Sequence, residues 1–289
     1  HMQFGKQLPK NLKDAVTQLR GSIQAALQNR VSRMDVEMPY AANFGVEGRK
    51  TVKAEDMSVV RQEDAEASDR ELARLIAEMF KGTGIDENMV IAFSDSGQAK
   101  KAVRQWEFSS VPGEVIVIDA KGKKAKSAKG GGSGFGAKKN VDEEKAISAS
   151  AIPDGTEVLL IVAPTAKQLN AIETAASNLG MGCLIILVNA RLDEIVYASE
   201  TQQSFFKSEF NRVFMLKPSP LNTWKGGVLF RSYPDDFQLC MPRTIGFPKI
   251  LVQKDEMPTL EELNEAFKGE KESLEGDIFA GINPFNMFK

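Results

Sequence analysis

The chain has 289 residues, 42% hydrophobic and 26% charged, a balance that excludes a mostly disordered polypeptide. Lys and Arg total 37 against 39 for Asp and Glu, so no global cationic excess is available to hold nucleic acid. The one histidine, His1, forms with Met2 what reads as a vector-derived remnant, and a chain starting near Gln3 then has no imidazole for Ser-His-Asp or Cys-His catalysis, His-ligated zinc or acid–base work.

In chain order, an amphipathic helix comes first, with Asn11 as N-cap and Leu12, Val16, Leu19, Ile23 and Leu27 as its apolar stripe. Residues 33–39 (RMDVEMP) alternate as a strand does, Met34, Val36 and Met38 sharing one face. Residues 40–68 carry weak structure signals. Ser68 with Glu71 predicts a capping box and a second helix, whose Leu72, Leu75, Ile76, Met79 and Phe80 face the core and which ends at Gly82 or Gly84. Strand 89–93, helix 97–107 and strand 114–119 follow. After an interruption come strand 157–163, a helix from Thr165 to Leu179 capped by Thr165 with Gln168, and strand 183–188. Near-continuous apolar strands alternating with helices predict an α/β fold, a doubly wound, mostly parallel sheet with helices on both faces.

The last hundred residues read differently. A short helix around 201–211 carries Phe205, Phe206 and Phe210, and strands follow at 212–216, 227–232, 237–241 and 249–253. Their short connections predict antiparallel neighbours that extend the same sheet near the C-terminus. Thr259 with Glu262 predicts a capping box opening a final helix. The expected organisation is a single α/β domain over 3–254, with a flexible Lys/Gly-rich insertion at 121–140, then an acidic helix and apolar tail over 255–289. The longest apolar runs, 158–163 and 183–188, are strand length, well short of the ~20 residues that cross a bilayer. Cys183 and Cys240 lie inside apolar runs without CxxC spacing and read as buried reduced thiols, a disulfide or redox role being the lesser alternative.

Three features could carry chemistry. The first is the insertion, whose Lys121, Lys123, Lys124, Lys126, Lys129, Lys138 and Lys139 surround GGGSGFG with no acid among them. Gly131 and Gly136 have phosphate-loop spacing, but Ala137 stands where the motif needs lysine. Gly132, Gly134 and Ala137 fit G-x-G-x-x-A, yet lie far past the strand and lead into no clear helix. The first reading is a solvated surface segment, and what survives is electrostatic contact with an anionic membrane surface or acidic partner. RNA is disfavoured, since Phe135 is the one aromatic there.

The second feature is the set of loops at the carboxyl ends of the strands, where doubly wound sheets bind ligands. Ser94, Asp95 and Ser96, then Thr165, then Asn189 and Arg191, are the candidate ligand-binding residues. Two of these loops open helices, whose free N–H groups favour an anion, and Arg191 offers a guanidinium fork. Helix capping accounts for the same Ser, Asp and Thr and is the first reading. An Asp95–Asp193 carboxylate pair has weak support, and no metal and no cofactor is expected. The third feature is acidic: between Asp255 and Asp277 nine carboxylates face only Lys268 and Lys271, and the apolar stretch from Phe279 to Phe288 would fold back or dock on a partner.

Several segments together carry a likeness. LPKNLKDAVTQL near the start, a first strand ending in Pro39, APT at 163–165 and NARLDE at 189–194 come in that order, followed by LKPSP at 216–220 and VLFRSYPDDFQLC at 228–240. The series resembles the cyanobacterial and plastid domain-of-unknown-function family that includes the Low PSII Accumulation 3 protein, over roughly residues 6–253. The lysine-glycine insertion and the acidic C-terminal stretch depart from that pattern. The resemblance implies a chloroplast stromal protein, peripheral to the thylakoid (cytoplasmic if cyanobacterial), some of whose relatives assist photosystem II assembly. A related domain fused to a plastid adenylate kinase keeps a nucleotide role open, and no catalytic residue is carried over.

The expected function is therefore a non-enzymatic assembly or interaction factor for photosystem II biogenesis at the thylakoid surface. Its partners would be proteins of the photosynthetic assembly machinery, with peripheral contact to anionic thylakoid lipid. The alternative is a small-molecule or nucleotide-binding α/β enzyme using the strand-end loops.

Overall fold

The computed structural model describes residues 6–44, 61–107, 111–118, 149–218, 226–243 and 246–273. Helix α1 (Leu12–Gln28) starts where the Asn11 side chain accepts the Asp14 N–H at 2.9 Å. Its buried stripe runs through Leu12, Ala15, Leu19, Ser22, Ile23 and Ala26, whereas Leu27 is 38% exposed. The stripe is rotated from the expected one because small Ala and Ser residues allow the closest approach to the sheet. Ser22 Oγ meets Ser232 Oγ there at 2.7 Å.

Strand β1 (Arg33–Glu37) follows, and then helix α2 (Gln62–Met79). The second helix begins well before the expected Ser68 box. Its first turn leaves no side-chain cap to read, and Ser68 is buried inside it, donating to the Ala42 carbonyl at 2.8 Å. Then come β2 (Met89–Phe93), α3 (Ser96–Trp106), β3 (Glu114–Ile118), β4 (Ala149–Ser150), β5 (Val158–Val162), α4 (Leu169–Leu179) and β6 (Leu184–Val188). Helix α5 (Glu200–Glu209), strands β7 (Asn211–Pro218), β8 (Val228–Ser232), β9 (Phe237–Met241) and β10 (Lys249–Lys254), and helix α6 (Leu260–Ser273) complete the order. The Thr259–Glu262 box is reciprocal, with Thr259 N–H donating to Glu262 at 2.8 Å and Glu262 N–H to Thr259 Oγ1 at 3.2 Å.

Among the described residues the strands form one sheet, in the order β10-β9-β8-β7-β1-β6-β5-β2-β3-β4. Pairing is parallel from β7 through β4 and antiparallel among β7, β8, β9 and β10. Helices α1, α2 and α3 pack one face through Leu19, Leu72 and Ala99, with Ile186 and Phe214 of the sheet. Helices α4 and α5 cover the other face through Ile172 and Phe206, on Ile185 and Leu187. Helix α6 covers the same face further along, where Leu263 and Phe267 pack on Met215, Leu229 and Leu239.

Two details of this layout matter for the site. Strands β5 and β2 are neighbours whose following helices lie on opposite faces, so the topological switch lies between them. Strand β1 lies between β6 and β7 and is buried throughout. Cys183 and Cys240 are free, buried and on opposite faces of the sheet. Burial pushes their thiols up to about 11 and about 12 respectively, so neither forms the reactive thiolate. No helix among the described residues is long and apolar enough to cross a membrane.

Candidate functional site

Strand β1 puts Met34 and Val36 into the core under α1 and α2, and the alternation then turns Arg33, Asp35 and Glu37 to the opposite face. These three charged residues are 4%, 1% and 1% exposed, in the middle of a sheet. Burying an ion costs several kcal/mol unless it is paired and hydrogen-bonded, so their surroundings have to supply partners.

For Arg33 the partner is a helix end. Its guanidinium donates to the carbonyls of Ala176 at 3.1 Å, of Gly180 and of Cys183, taking up groups that the C-terminus of α4 leaves open. For the two carboxylates the partners come from β7 and from the loop after β6. Glu37 lies 3.2 Å from Arg191 Nη1, 3.6 Å from Lys217 Nζ and 3.7 Å from Arg212 Nη1. Arg212 forks onto Asp193 at 2.9 and 3.0 Å, and Lys217 reaches Glu194 at 2.9 Å. A β-bulge in β7 opposite Asp35 and Val36 sets this up, placing Arg212 beside Asp35 while Phe214 still enters the core.

Asp35 is the least satisfied member. Its nearest cation is Arg212 Nε at 3.5 Å, and neither carboxylate oxygen accepts a hydrogen bond. Burial first, and then the neighbouring Glu37 and Asp193 charges, push its pKa up to about 7 against the pull of Arg212. Burial opposes the Arg212 charge as well, but Asp35, Asp193 and Glu37 hold that guanidinium above its ordinary value.

The backbone is strained where this network meets the strand ends. Ala41, Ala163, Asn189 and Arg191 all adopt left-handed φ values of 43–51°. Asn189 tolerates this best, because its Oδ1 accepts the Met38 N–H at 2.8 Å and its Nδ2 donates to Asp69 at 2.6 Å. Asp69 is pushed up to about 6 by burial, opposed by that hydrogen bond and by Arg191. Arg191 also donates to the Met38 carbonyl at 3.2 Å.

Beside the network opens a cleft of about 1390 Å³ between α5 and α6. Tyr40, Arg191, Asp193, Glu194, Arg212 and Lys217 line one part of it, and Leu229, Phe237, Met257 and Leu263 another. Met181 and Leu260 stand on its rim, 68% and 61% exposed.

Of the residues singled out in the sequence, Arg191 lines this cleft and Asn189 lies buried behind it. Ser94, Asp95, Ser96 and Thr165 are elsewhere, at the β2/β5 switch. There Asp95 accepts the Gln98 N–H at 3.0 Å, Thr165 and Gln168 cap each other, and Gln168 Nε2 reaches the Ser94 carbonyl at 3.4 Å. Asp193 pairs with Arg212 and Asp95 caps α3, so the two share no partner. The seven lysines of the insertion, Lys121 through Lys139, and the apolar stretch from Phe279 to Phe288 fall outside the described residues. Among the described residues no cluster of three His, Cys, Asp or Glu side chains could hold a metal.

Asp35, Glu37, Tyr40, Arg212, Lys217 and Arg231 were not predicted from sequence. The signal available was the charged half of RMDVEMP, which becomes informative only once β1 is known to be central. Four segments that carry the family likeness contribute residues to the cleft: the first strand, NARLDE, Lys217 and Pro218 of LKPSP, and VLFRSYPDDFQLC. Residues 9–265 match the family model described as Domain of unknown function (DUF1995). No curated protein matches the chain, and no solved structure does.

Proposed function

The chain belongs to the DUF1995 family, and from that premise we propose that it is a non-enzymatic interaction factor holding an extended segment of a partner protein in the α5–α6 cleft. The observation that carries this reading is the character of the cleft. At about 1390 Å³ it exceeds the roughly 300–1,000 Å³ of small-molecule pockets. The carboxylates of the adjoining network, Glu37, Asp193 and Glu194, are engaged by Arg191, Arg212 and Lys217, an arrangement that fixes shape more than it frees a base or nucleophile. Apolar side chains at its rim and floor offer the desolvated contact that peptide recognition needs.

The family likeness supports a place for this activity in photosystem II biogenesis, in the chloroplast stroma at the thylakoid surface. The lysine-rich stretch 121–139 would add peripheral contact with anionic thylakoid lipid. The nucleotide or small-molecule reading at the β2/β5 loops is weaker on physical grounds. The Asp95 carboxylate already occupies the N-terminus of α3, where a phosphate would have to sit.

The test uses the rim. Met181→Asp combined with Leu260→Asp changes two exposed side chains and should leave the melting temperature unchanged. It should also abolish co-purification with photosystem II assembly intermediates from solubilised thylakoids. Retention equal to that of the unaltered protein would overturn the cleft as the docking site.

A further inference from the structure

Among the described residues, Arg231 on the cleft floor forms no close ion pair, although the Asp236 and Asp255 charges act on it from beyond ion-pair distance. Arg231 lies on β8 directly across from Met215 of β7, on the face that α6 covers, and it lines the cleft. Its guanidinium carbon sits 4.3 Å from the centroid of the Phe237 ring and 6.0 Å from that of Tyr233. The neighbouring cations are spent. Arg191 serves Glu37, Arg212 serves Asp193, Lys217 serves Glu194, and Arg33 serves the end of α4. Arg231 forms no ion pair among the described residues, and its Nε–H is shut off from solvent without an acceptor.

A desolvated guanidinium donor left unmatched is unfavourable until an acceptor arrives. The guanidinium packs over the Phe237 ring, and a guanidinium fork matches a carboxylate bidentately. Around it, Leu229, Phe237 and Met257 supply apolar contact, while Asp255 and Glu256 at the same cleft repel a dianionic phosphate about twice as strongly as a singly charged carboxylate.

We propose that Arg231 is the receptor for a carboxylate of the bound partner, an acidic side chain set between apolar residues in the segment that occupies the cleft. This rests on the docking role of the cleft proposed above, and it names the chemistry the cleft selects. Arg231 orients the segment by a charge-assisted fork, and the apolar floor takes its neighbours.

The probes are two short peptides, N-acetyl-Leu-Glu-Leu-amide and its Gln counterpart, with inorganic phosphate as a third. Binding is read from the Nε–H resonance of Arg231, assigned by its loss in Arg231→Met. The Glu peptide should shift that resonance saturably, and the Gln peptide should bind at least about tenfold more weakly. Arg231→Lys, which keeps the charge and loses the fork, should also weaken Glu-peptide binding, as read from the surrounding backbone amides, without changing the melting temperature. Equal binding of the two peptides, or undiminished Glu-peptide binding by Arg231→Met, would overturn the assignment. A saturable response to phosphate stronger than that to the Glu peptide would overturn the carboxylate class. Loss of partner capture in the rim variant together with normal capture by Arg231→Met would sink the role of Arg231 alone and leave the docking reading in place.

Discussion

The guanidinium of Arg191 lies 3.4 Å from the centroid of the Tyr40 ring while its Nη1 pairs with Glu37 at 3.2 Å, so one side chain ties the loop after β1 to the loop after β6. Tyr40 completes the tie by donating its hydroxyl to Glu194 at 2.8 Å. Arg191 does this from a left-handed backbone, φ 50°, which a Cβ disfavours. Arg191→Ala keeps the backbone cost and loses the stack and the ion pair. Because Glu37 retains Lys217 and Arg212, the loss should be about 1–3 kcal/mol, below that of a buried pair broken outright. Arg191→Gly should be about 1 kcal/mol less damaging than Arg191→Ala, because it relaxes the backbone. Urea unfolding of the two variants beside the unaltered protein measures both differences.

Asp35 gives the fold a pH dependence of unusual sign. In the folded chain its carboxyl keeps its proton up to about 7, whereas an unfolded aspartate releases it near about 3.9. Between those values the folded state binds the extra proton. Stability therefore falls as pH rises through that window, by at most about 1.4 kcal/mol per unit, and the effect levels off above the folded value. Asp35→Asn removes the titrating group and should flatten this part of the profile. Unfolding free energies at about pH 5 and about pH 8 test it, and parallel profiles for variant and parent would refute it.

The lysine-rich stretch makes a prediction that rests on charge alone. Deleting 121–139 removes seven lysines and no acid. Cosedimentation with phosphatidylglycerol vesicles should drop sharply at about 20 mM salt. Both proteins should stay in the supernatant at about 500 mM, where the Debye length is only a few ångströms. Undiminished low-salt sedimentation of the deletion would remove the stretch as a lipid contact.

Most of the sheet was legible because its strands announce themselves twice, by apolar continuity and by the turn residues around them. Strands 89–93 and 237–241 coincide with the expected spans. The start of α2 was not legible, since Arg61 supplies no side-chain cap while Ser68 imitates one. The site was harder for a different reason. RMDVEMP has the alternation of a half-exposed strand, and only the long-range pairing of β1 with β6 and β7 buries its charged half. Local periodicity contains no information about which strand is central. The strand-end rule led to Asn189 and Arg191 because they follow β6, but their partners Glu37, Tyr40 and Asp69 come from distant segments.

Asn189 offers the sharpest check on that long-range wiring. Its amide gives a hydrogen to Asp69 and its carbonyl takes one from the Met38 backbone, so the two ends of one side chain need opposite chemistry. Asn189→Asp preserves the acceptor for Met38 and replaces the donor with a second carboxyl group against Asp69. Asp69 is already pushed up to about 6 by its burial, and a like charge in contact raises such a group further. The pair must then hold a proton that the unfolded chain releases at lower pH. The cost of the substitution should therefore grow as pH rises and shrink on acidification, reaching roughly 2–4 kcal/mol near pH 8. Asn189→Ala should be destabilising by a comparable amount with a smaller added pH dependence, because it removes both hydrogen bonds, including the one that holds Asp69 down, but brings no new charge. Chemical denaturation of both variants at about pH 5 and about pH 8 separates the two cases, and a pH-independent cost for Asn189→Asp would show that Asp69 does not share its site with residue 189.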